Sequence, residues 1–480
     1  MSAAHDAGHA HDHDAHDDAH DDAHDDAHDD AHDDAHDAAL DDGRLPGDLP
    51  LLVDDDGVAT RAMVLRRLAA RRAEFAGQRA APLSGPTSTA LLLSLLAART
   101  AGCVPVLWSP RLAATTAQAA VATTLLGLAA LPPAQRARLA DVTFTSGTTG
   151  TPRAVAHTRA GHAAVARAAH AHVAFGPGHR WLLSLPLVHV GGLGIVSRAL
   201  WGGGAWAMPR PGEAFVDAAL RLQVTHLSLV RAQLVDVLAH PRLPALVPQL
   251  RLVLVGGGPT PATLLQRAVA MGVPVAQTWG MTETHAQVAT SPPGEPSSCG
   301  RPLPGRRVRL DADGVLGVGG PGLAAGVVDA HGLVPLPRDA DGWFVTGDRG
   351  VIDDHGRVFV TGRVGLRIVS GGEKIEPEAI EAALLDVPGV IDVVVVGVPH
   401  PRWGERPVAF VRTAPPTTTA TTATTSTTST TTTTTTTWID AVRARLPATW
   451  VPDAFLPWPA DVEGGKAARP LLRARALAAA

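Results

Sequence analysis

Nine consecutive residues, Thr145-Ser146-Gly147-Thr148-Thr149-Gly150-Thr151-Pro152-Arg153, contain five hydroxyl side chains, two glycines and a proline. The glycines let backbone N–H groups close on an anion, the hydroxyls donate to its oxygens, and the proline fixes the exit. That is the makeup of a phosphate cradle, although an ordinary Ser/Thr/Gly surface loop has a similar composition. It is not a Walker loop, because no Lys-Ser/Thr pair follows a second glycine at the required distance. Gly256-Gly257-Gly258-Pro259 would admit a flat ring close to the backbone, or simply make a tight strand-to-helix turn. Further on, Trp279-Gly280-Met281-Thr282-Glu283-Thr284 offers an aromatic face for adenine, a hydroxyl at Thr282 for a phosphate, and Glu283 as a hard oxygen ligand for Mg²⁺. Asp348, in Thr346-Gly347-Asp348, supplies a carboxylate that suits a vicinal diol.

Lysine is nearly absent: Lys374 and Lys466 stand beside 39 arginines, and there is no Asn and no Tyr. The depleted residues share A/T-rich codons, so the bias reads as genomic. A lysine that survives it, unless by chance, marks a place where a compact ammonium on a flexible stem is needed in preference to a planar guanidinium.

These residues need elements to hold them. Asp141 to Phe144 reads as a strand leading into the cradle, Leu51 to Val53 as another, and Thr60 to Ala76 as a helix. Strand-like runs at Trp181 to Leu187, His226 to Val230 and Leu252 to Val255 alternate with helix-like stretches at Ala214 to Leu222, Ala232 to Ala239 and Pro261 to Met271. That alternation predicts an α/β body over 44–362. Beyond Gly362-Arg363 the pattern becomes a helix at Glu376 to Leu385, strands at Val390 to Val398 and Val408 to Val411, and a helix at Ile439 to Leu446, a small α+β domain over 363–480. A 480-residue chain is expected to divide in this way.

Two low-complexity segments interrupt the pattern. Residues 1–43 carry 16 aspartates and a tetrad, Ala-His-Asp-Asp, that places His16, His20, His24, His28, His32 and His36 four apart. Mutual repulsion and the lack of an apolar face predict a disordered tail, with adventitious binding of divalent transition metals as the other reading. The nearly pure threonine run at about 417–437 reads as an expanded surface loop. With the tail's charge taken from a total of −5, the remainder stands at +11, which suits anionic small molecules. No basic arm or aromatic-basic module supports nucleic-acid binding. Two cysteines are too few for a disulfide framework, and the most apolar stretch, Ala90 to Trp108, is broken by Arg99, Gly102 and Pro105. The expectation is a cytoplasmic protein without stable membrane insertion.

The four motifs, in this order, resemble the core signature of the adenylate-forming superfamily, the acyl-CoA synthetases and adenylation domains. The resemblance covers 141–466 and implies a large N-terminal domain of layered sheets and helices with a small mobile C-terminal domain. It implies that Thr145, Ser146, Gly147, Thr148, Thr149 and Gly150 grip the β- and γ-phosphates of ATP. Gly256, Gly257, Gly258, Trp279 and Gly280 would enclose adenine, Asp348 and Arg363 hold the ribose, Thr282 contact a phosphate, and Glu283 hold Mg²⁺. Trp279 stands where the family usually has Tyr and Arg153 where it usually has Lys. Lys466, after Gly464-Gly465, falls at the family's C-terminal catalytic lysine. Gly365 falls at the domain hinge, and Gly371, Gly372 and Lys374 along the channel for coenzyme A; Lys374 also fits a solvated loop.

Within the superfamily, Trp181 to Gly194, Pro152 to Thr158 and Ser370 to Glu373 are most similar to the 2-succinylbenzoate–CoA ligases of menaquinone biosynthesis. On that likeness His189 and Gly191 lie at the acyl pocket. Arg198 would answer the second carboxylate of a dicarboxylic acid, or else make a helix-surface salt bridge. The implied substrates are a small carboxylic acid, ATP and coenzyme A, and a homo-oligomer is compatible with the sequence. The alternatives are a CoA ligase for another aryl or fatty acid, an enzyme that loads a carrier protein, and a metal-binding protein acting through its His-rich tail.

Overall fold

The computed structural model describes residues 45–110, 114–145, 152–413, 427–460, 462 and 469–479. The His/Asp tail, Ser146 to Gly150 of the cradle and Lys466 lie outside them.

Three sheets build the N-terminal body. Nine strands run in the order Arg301–Pro302, Ala286–Thr290, Val275–Met281, Leu252–Val255, His226–Leu229, Arg180–Leu182, Ala205–Ala207, Pro50–Asp54, Gly57–Thr60. The central members of this sheet are parallel. Leu252–Val255 is wholly apolar, and it and His226–Leu229 are buried throughout, as a sheet covered on both faces requires. A six-stranded sheet has the order Gly332–Pro335, Gly326–Asp329, Arg153–Thr158, Leu139–Thr145, Val104–Leu107, Ala80–Leu83. A four-stranded antiparallel sheet, Arg307–Leu310, Val315–Gly319, Phe344–Ile352, Val358–Arg363, completes the body. Helices Arg159–His172 and Val190–Gly202 pack against each other, and Thr158 caps the first, its hydroxyl accepting from Gly161 N at 2.9 Å.

The C-terminal sheet contains Glu373–Ile375, Ile368–Ser370, Gly404–Thr413 and Val390–His400, with Ala454–Pro457 parallel to Gly404–Thr413. Arg363 ends the four-stranded sheet and Ile368 begins this one, so the exchange of sheets occupies 364–367. Helix Pro377–Leu385 buries Ile380 and Leu384 on this sheet against Val393, Val395 and Val411. Arg231–Asp392, at 2.6 Å, and Thr263–Asp386 join the two bodies.

Two expected elements differ. The strand expected over Trp181 to Leu187 ends at Leu182, after which the chain turns away toward Pro186 and Ser184 bonds the Ser228 carbonyl. The threonine run is helical from Thr427, within helix Thr427–Arg443, so its second half is not a loop. Trp438 and Val442 of that helix pack on the C-terminal core, and a helix once nucleated propagates through poor formers such as threonine. Both cysteines are free, and burial pushes their thiols up to about 11. No helix among the described residues is long and apolar enough to cross a membrane.

Candidate active site

Four parallel strands deliver the candidate residues to one edge of the large sheet. Beyond their C-terminal ends lie Ser184 to His189 after Leu182, Val230 after Leu229, Gly256 to Gly258 after Val255, and Thr282-Glu283 after Met281. The C-terminal ends of parallel strands are where open α/β sheets bind ligands. Leu139–Thr145 and Arg153–Thr158 form an antiparallel pair that closes with Thr145 opposite Arg153, so residues 146–151 connect the two ends of a hairpin stem. Arg153 Nη2 then reaches Glu283 Oε1 at 2.7 Å, tying that stem to the Thr282-Glu283 turn.

The expected adenine side contains a glycine packed to its limit. A Cβ on Gly256 would stand 2.7 Å from Thr278 Cγ2, while Gly257, with φ +82°, is exposed, as is Gly258. Gly280 is tighter still: its Cβ would lie 1.5 Å from the Ala286 carbonyl oxygen, across the irregular pairing of Val275–Met281 with Ala286–Thr290. Trp279, expected to stack on adenine, is 6% exposed and packs with Val155, Val288 and Leu316. Its indole N–H donates to Asp348 Oδ2 at 2.8 Å, and Arg363 Nε pairs with Asp348 Oδ1 at 3.0 Å. A buried aromatic thus fixes the carboxylate's orientation, a role that tyrosine's terminal hydroxyl would fill by a different path.

On the acyl side, His189 is exposed at the N-cap of Val190–Gly202, followed by Gly191, whose Cβ would meet Leu185 Cδ1 at 2.8 Å. Arg198 lies two turns further along. It does not make the surface salt bridge considered for it: it is 3% exposed, and among the described residues no carboxylate pairs with it. Its guanidinium instead lies over the Trp181 ring, 4.6 Å from the centroid, donates to Gln287 Oε1, and leaves Nε without a hydrogen-bond partner. Burial lowers it to about 9. A buried cation held by a π-face and one amide, with donor capacity left over, has the chemistry to receive an anion.

In the C-terminal body Gly365 (φ +82°) and Gly372 (φ +87°) face open space, and a Cβ on Gly371 would lie 2.8 Å from the Trp403 ring. Lys374 is exposed on strand Glu373–Ile375.

Sequence reasoning missed the polar cluster beneath the site. Asp141 is fully buried between His157 and His162, each 2.8 Å away, with Arg99 on the same carboxylate. Burial alone would push Asp141 up, but His162, Arg99 and His157 together hold its carboxyl well below the usual range. The signal was the alternation Asp141, Thr143, Thr145 against Val142 and Phe144, a polar face on a strand with no solvent side.

The sequence matches the family model for AMP-binding enzymes over residues 114–328 and that for the AMP-binding enzyme C-terminal domain over 379–460. A 2-succinylbenzoate–CoA ligase of Bacillus cereus is 35% identical over 285 residues, covering 56% of this chain and 59% of that protein's length. A solved variant of Escherichia coli MenE with bound OSB-AMS superposes with a TM-score of 0.73 at 25% identity, covering 90% of this chain and 96% of that one. The o-succinylbenzoate coenzyme A synthetase (MenE) of Bacillus subtilis, solved with ATP and a magnesium ion, gives 0.73 at 24% identity over 91% of this chain and 98% of that one. The two models between them take in both bodies and more than half of the residues, so the chain belongs to the AMP-binding enzyme family.

Proposed function

We propose that the chain is an ATP-dependent acid–CoA ligase that converts 2-succinylbenzoate to 2-succinylbenzoyl-CoA through an acyl-adenylate, releasing AMP and pyrophosphate. The observation that carries the choice of acid is Arg198. A buried guanidinium without a carboxylate partner suits a substrate with two carboxylates, one to react and one to neutralise the pocket. The likeness to 2-succinylbenzoate–CoA ligases supports the same reading.

In the first half-reaction the acid's carboxylate attacks the α-phosphate of ATP in line and pyrophosphate leaves; the protein contributes position and charge. Residues 145–150 would hold the β- and γ-phosphates, Gly256 to Gly258 and Gly280 would border adenine, and Asp348 with Arg363 would take the ribose. Thr282 would bond a phosphate oxygen, and His189 and Gly191 would line the acyl entrance. Lys466 would place its ammonium between the carboxylate and the α-phosphate, where charge concentrates. Glu283 fits Mg²⁺, which is typically held by one or two carboxylates together with substrate phosphates, once its Oε1 exchanges Arg153 for the ion. Mg²⁺ bound there would neutralise phosphate charge. In the second half-reaction the C-terminal body would rotate about Gly365, withdraw Lys466 and present Gly371 and Gly372, past which the thiol of coenzyme A reaches the adenylate.

Pyrophosphate release over 2-succinylbenzoate, benzoate and medium-chain acids, with and without coenzyme A, tests the reading. Preference for 2-succinylbenzoate, loss of adenylation in Lys466→Ala, and thioester formation by that variant from supplied adenylate are expected. Equal turnover of benzoate would overturn the choice of acid, and unimpaired pyrophosphate release by Lys466→Ala would overturn the lysine's role.

A further inference from the structure

Four hydrogen bonds run in series beneath the proposed site. The Thr282 carbonyl oxygen lies 2.9 Å from His157 Nε2, and His157 Nδ1 lies 2.8 Å from Asp141 Oδ1. Asp141 Oδ2 lies 2.8 Å from His162 Nε2, and His162 Nδ1 lies 2.9 Å from Ser197 Oγ. The series links the turn that carries Thr282 and Glu283 to the helix that carries Arg198, through the strand that enters the phosphate loop.

Donor and acceptor counting fixes where the hydrogens sit. Asp141, held ionised by its neighbours, only accepts. His162 therefore donates from Nε2 and accepts from Ser197 at Nδ1, the neutral ring that its lowering to about 4, chiefly by burial, also requires. His285 donates from Nδ1 to the Gly322 carbonyl at 2.8 Å, and burial keeps it neutral. His157 differs from both, because a carboxylate faces one nitrogen and a carbonyl the other. Neither partner can donate.

What the carbonyl belongs to matters. After Thr282-Glu283-Thr284 the backbone passes through His285 (φ +53°) and Ala286 (φ +79°), two successive non-glycine residues in the left-handed region. Each costs an L-residue free energy relative to ordinary backbone. Such conformations persist where surrounding contacts over-determine them, and they gather at functional sites.

We propose that His157 is a positioning residue for adenylation: an imidazolium protonated on both nitrogens, anchored by Asp141, that clamps the Thr282 carbonyl and holds in place the Thr282-Glu283 turn that leads into the strained His285-Ala286 pair. Asp141, His157 and His162 also present ligand atoms within 4.8 Å of one another, a spacing open to a metal ion. Each Asp141 oxygen already accepts from an imidazole, and the Arg99 guanidinium adds fixed positive charge against the same carboxylate, which opposes a cation there.

The protonation is read by neutron diffraction from crystals of the deuterated full-length protein at neutral pH. Deuterium on both His157 nitrogens is expected; a bare nitrogen overturns the proposal. The positioning rests on the adenylation reading and is tested by acid-dependent pyrophosphate release. His157→Phe should lower kcat by about tenfold to a hundredfold, the worth of one charge-assisted hydrogen bond, with the KM of the acid within about twofold of the original. His157→Gln, which retains a donor for the carbonyl, should recover to within about threefold of wild type. A folded His157→Phe variant with wild-type kcat refutes the clamp; if that variant does not fold, the neutron result decides. Wild-type protein that releases no pyrophosphate with any acid would defeat the ligase reading and leave the deuterium count intact.

Discussion

Replacing Arg198 by Met should separate function from stability in opposite directions. Burial lowers the guanidinium from its ordinary value to about 9. At about 1.4 kcal/mol per pH unit, the charged form therefore carries a desolvation cost on the order of 5 kcal/mol. The unfolded chain holds this proton well above pH 9 and the folded chain only to about 9, so the cost is present in full below pH 9. The Trp181 face returns about 2 kcal/mol and the bond to Gln287 about 1.5–3, leaving a small net deficit. Methionine fills similar space without charge, and such exchanges are commonly neutral or stabilising by about 1–4 kcal/mol. The melting temperature of Arg198→Met should hold or rise by a few degrees. In pyrophosphate release, its KM for 2-succinylbenzoate should rise about a hundredfold, the loss of roughly 3 kcal/mol of charge-assisted binding, while benzoate turnover is unchanged. Saturating 2-succinylbenzoate should raise the melting temperature of wild type and not that of the variant. A variant that melts well below wild type and loses both acids in parallel would refute the reasoning, since Arg198 would then be a structural cation.

Burial holds His162 and His170 at about 4, His226 at about 3 and His285 well below its ordinary value. The unfolded chain protonates these rings near 6.5, so stability should fall as pH drops from 6.5 toward 4, by about 1.4 kcal/mol per pH unit for each ring. Urea midpoints from pH 7.5 to 5 would show it, and a flat profile would count against neutral buried rings. Gly280→Ala places a methyl 1.5 Å from the Ala286 carbonyl and should cost at least ~2 kcal/mol by chemical denaturation; an unchanged midpoint would mean the turn yields freely. Trp279→Phe removes the donor to Asp348 but leaves Arg363 on it, so the KM for ATP should rise about threefold to tenfold, and an unchanged value would remove Asp348's orientation from the account.

Much of the body was legible because local pattern and tertiary demand agree there. Leu252–Val255 is short, wholly apolar and followed by the turn residues Gly256 to Gly258, and Thr60 before a periodic run marks a helix start. Gly256 and Gly280 were singled out for loop chemistry, and their tight packing against Thr278 and Ala286 is a tertiary fact that no local window carries. Arg198 was legible as a cation of interest, but not that Trp181, Gln287 and burial would isolate it. The histidine cluster stayed hidden because its members come from two adjacent strands, a helix and a turn 125 residues distant from His157. Trp279 was legible as an aromatic beside a glycine loop, but not that its indole N–H would reach Asp348.

Asp392 gives the junction between the two bodies an uneven character. It meets Arg231 across the boundary at 2.6 Å and Arg412 of its own sheet at 3.5 Å. If the C-terminal body swings away, the carboxylate retains a companion and Arg231 turns into water, so undocking strands no ion. Such a junction behaves as a detent with a shallow exit: it defines a resting angle while adding little to the barrier of each cycle, and neutralising Arg412 should make departure harder.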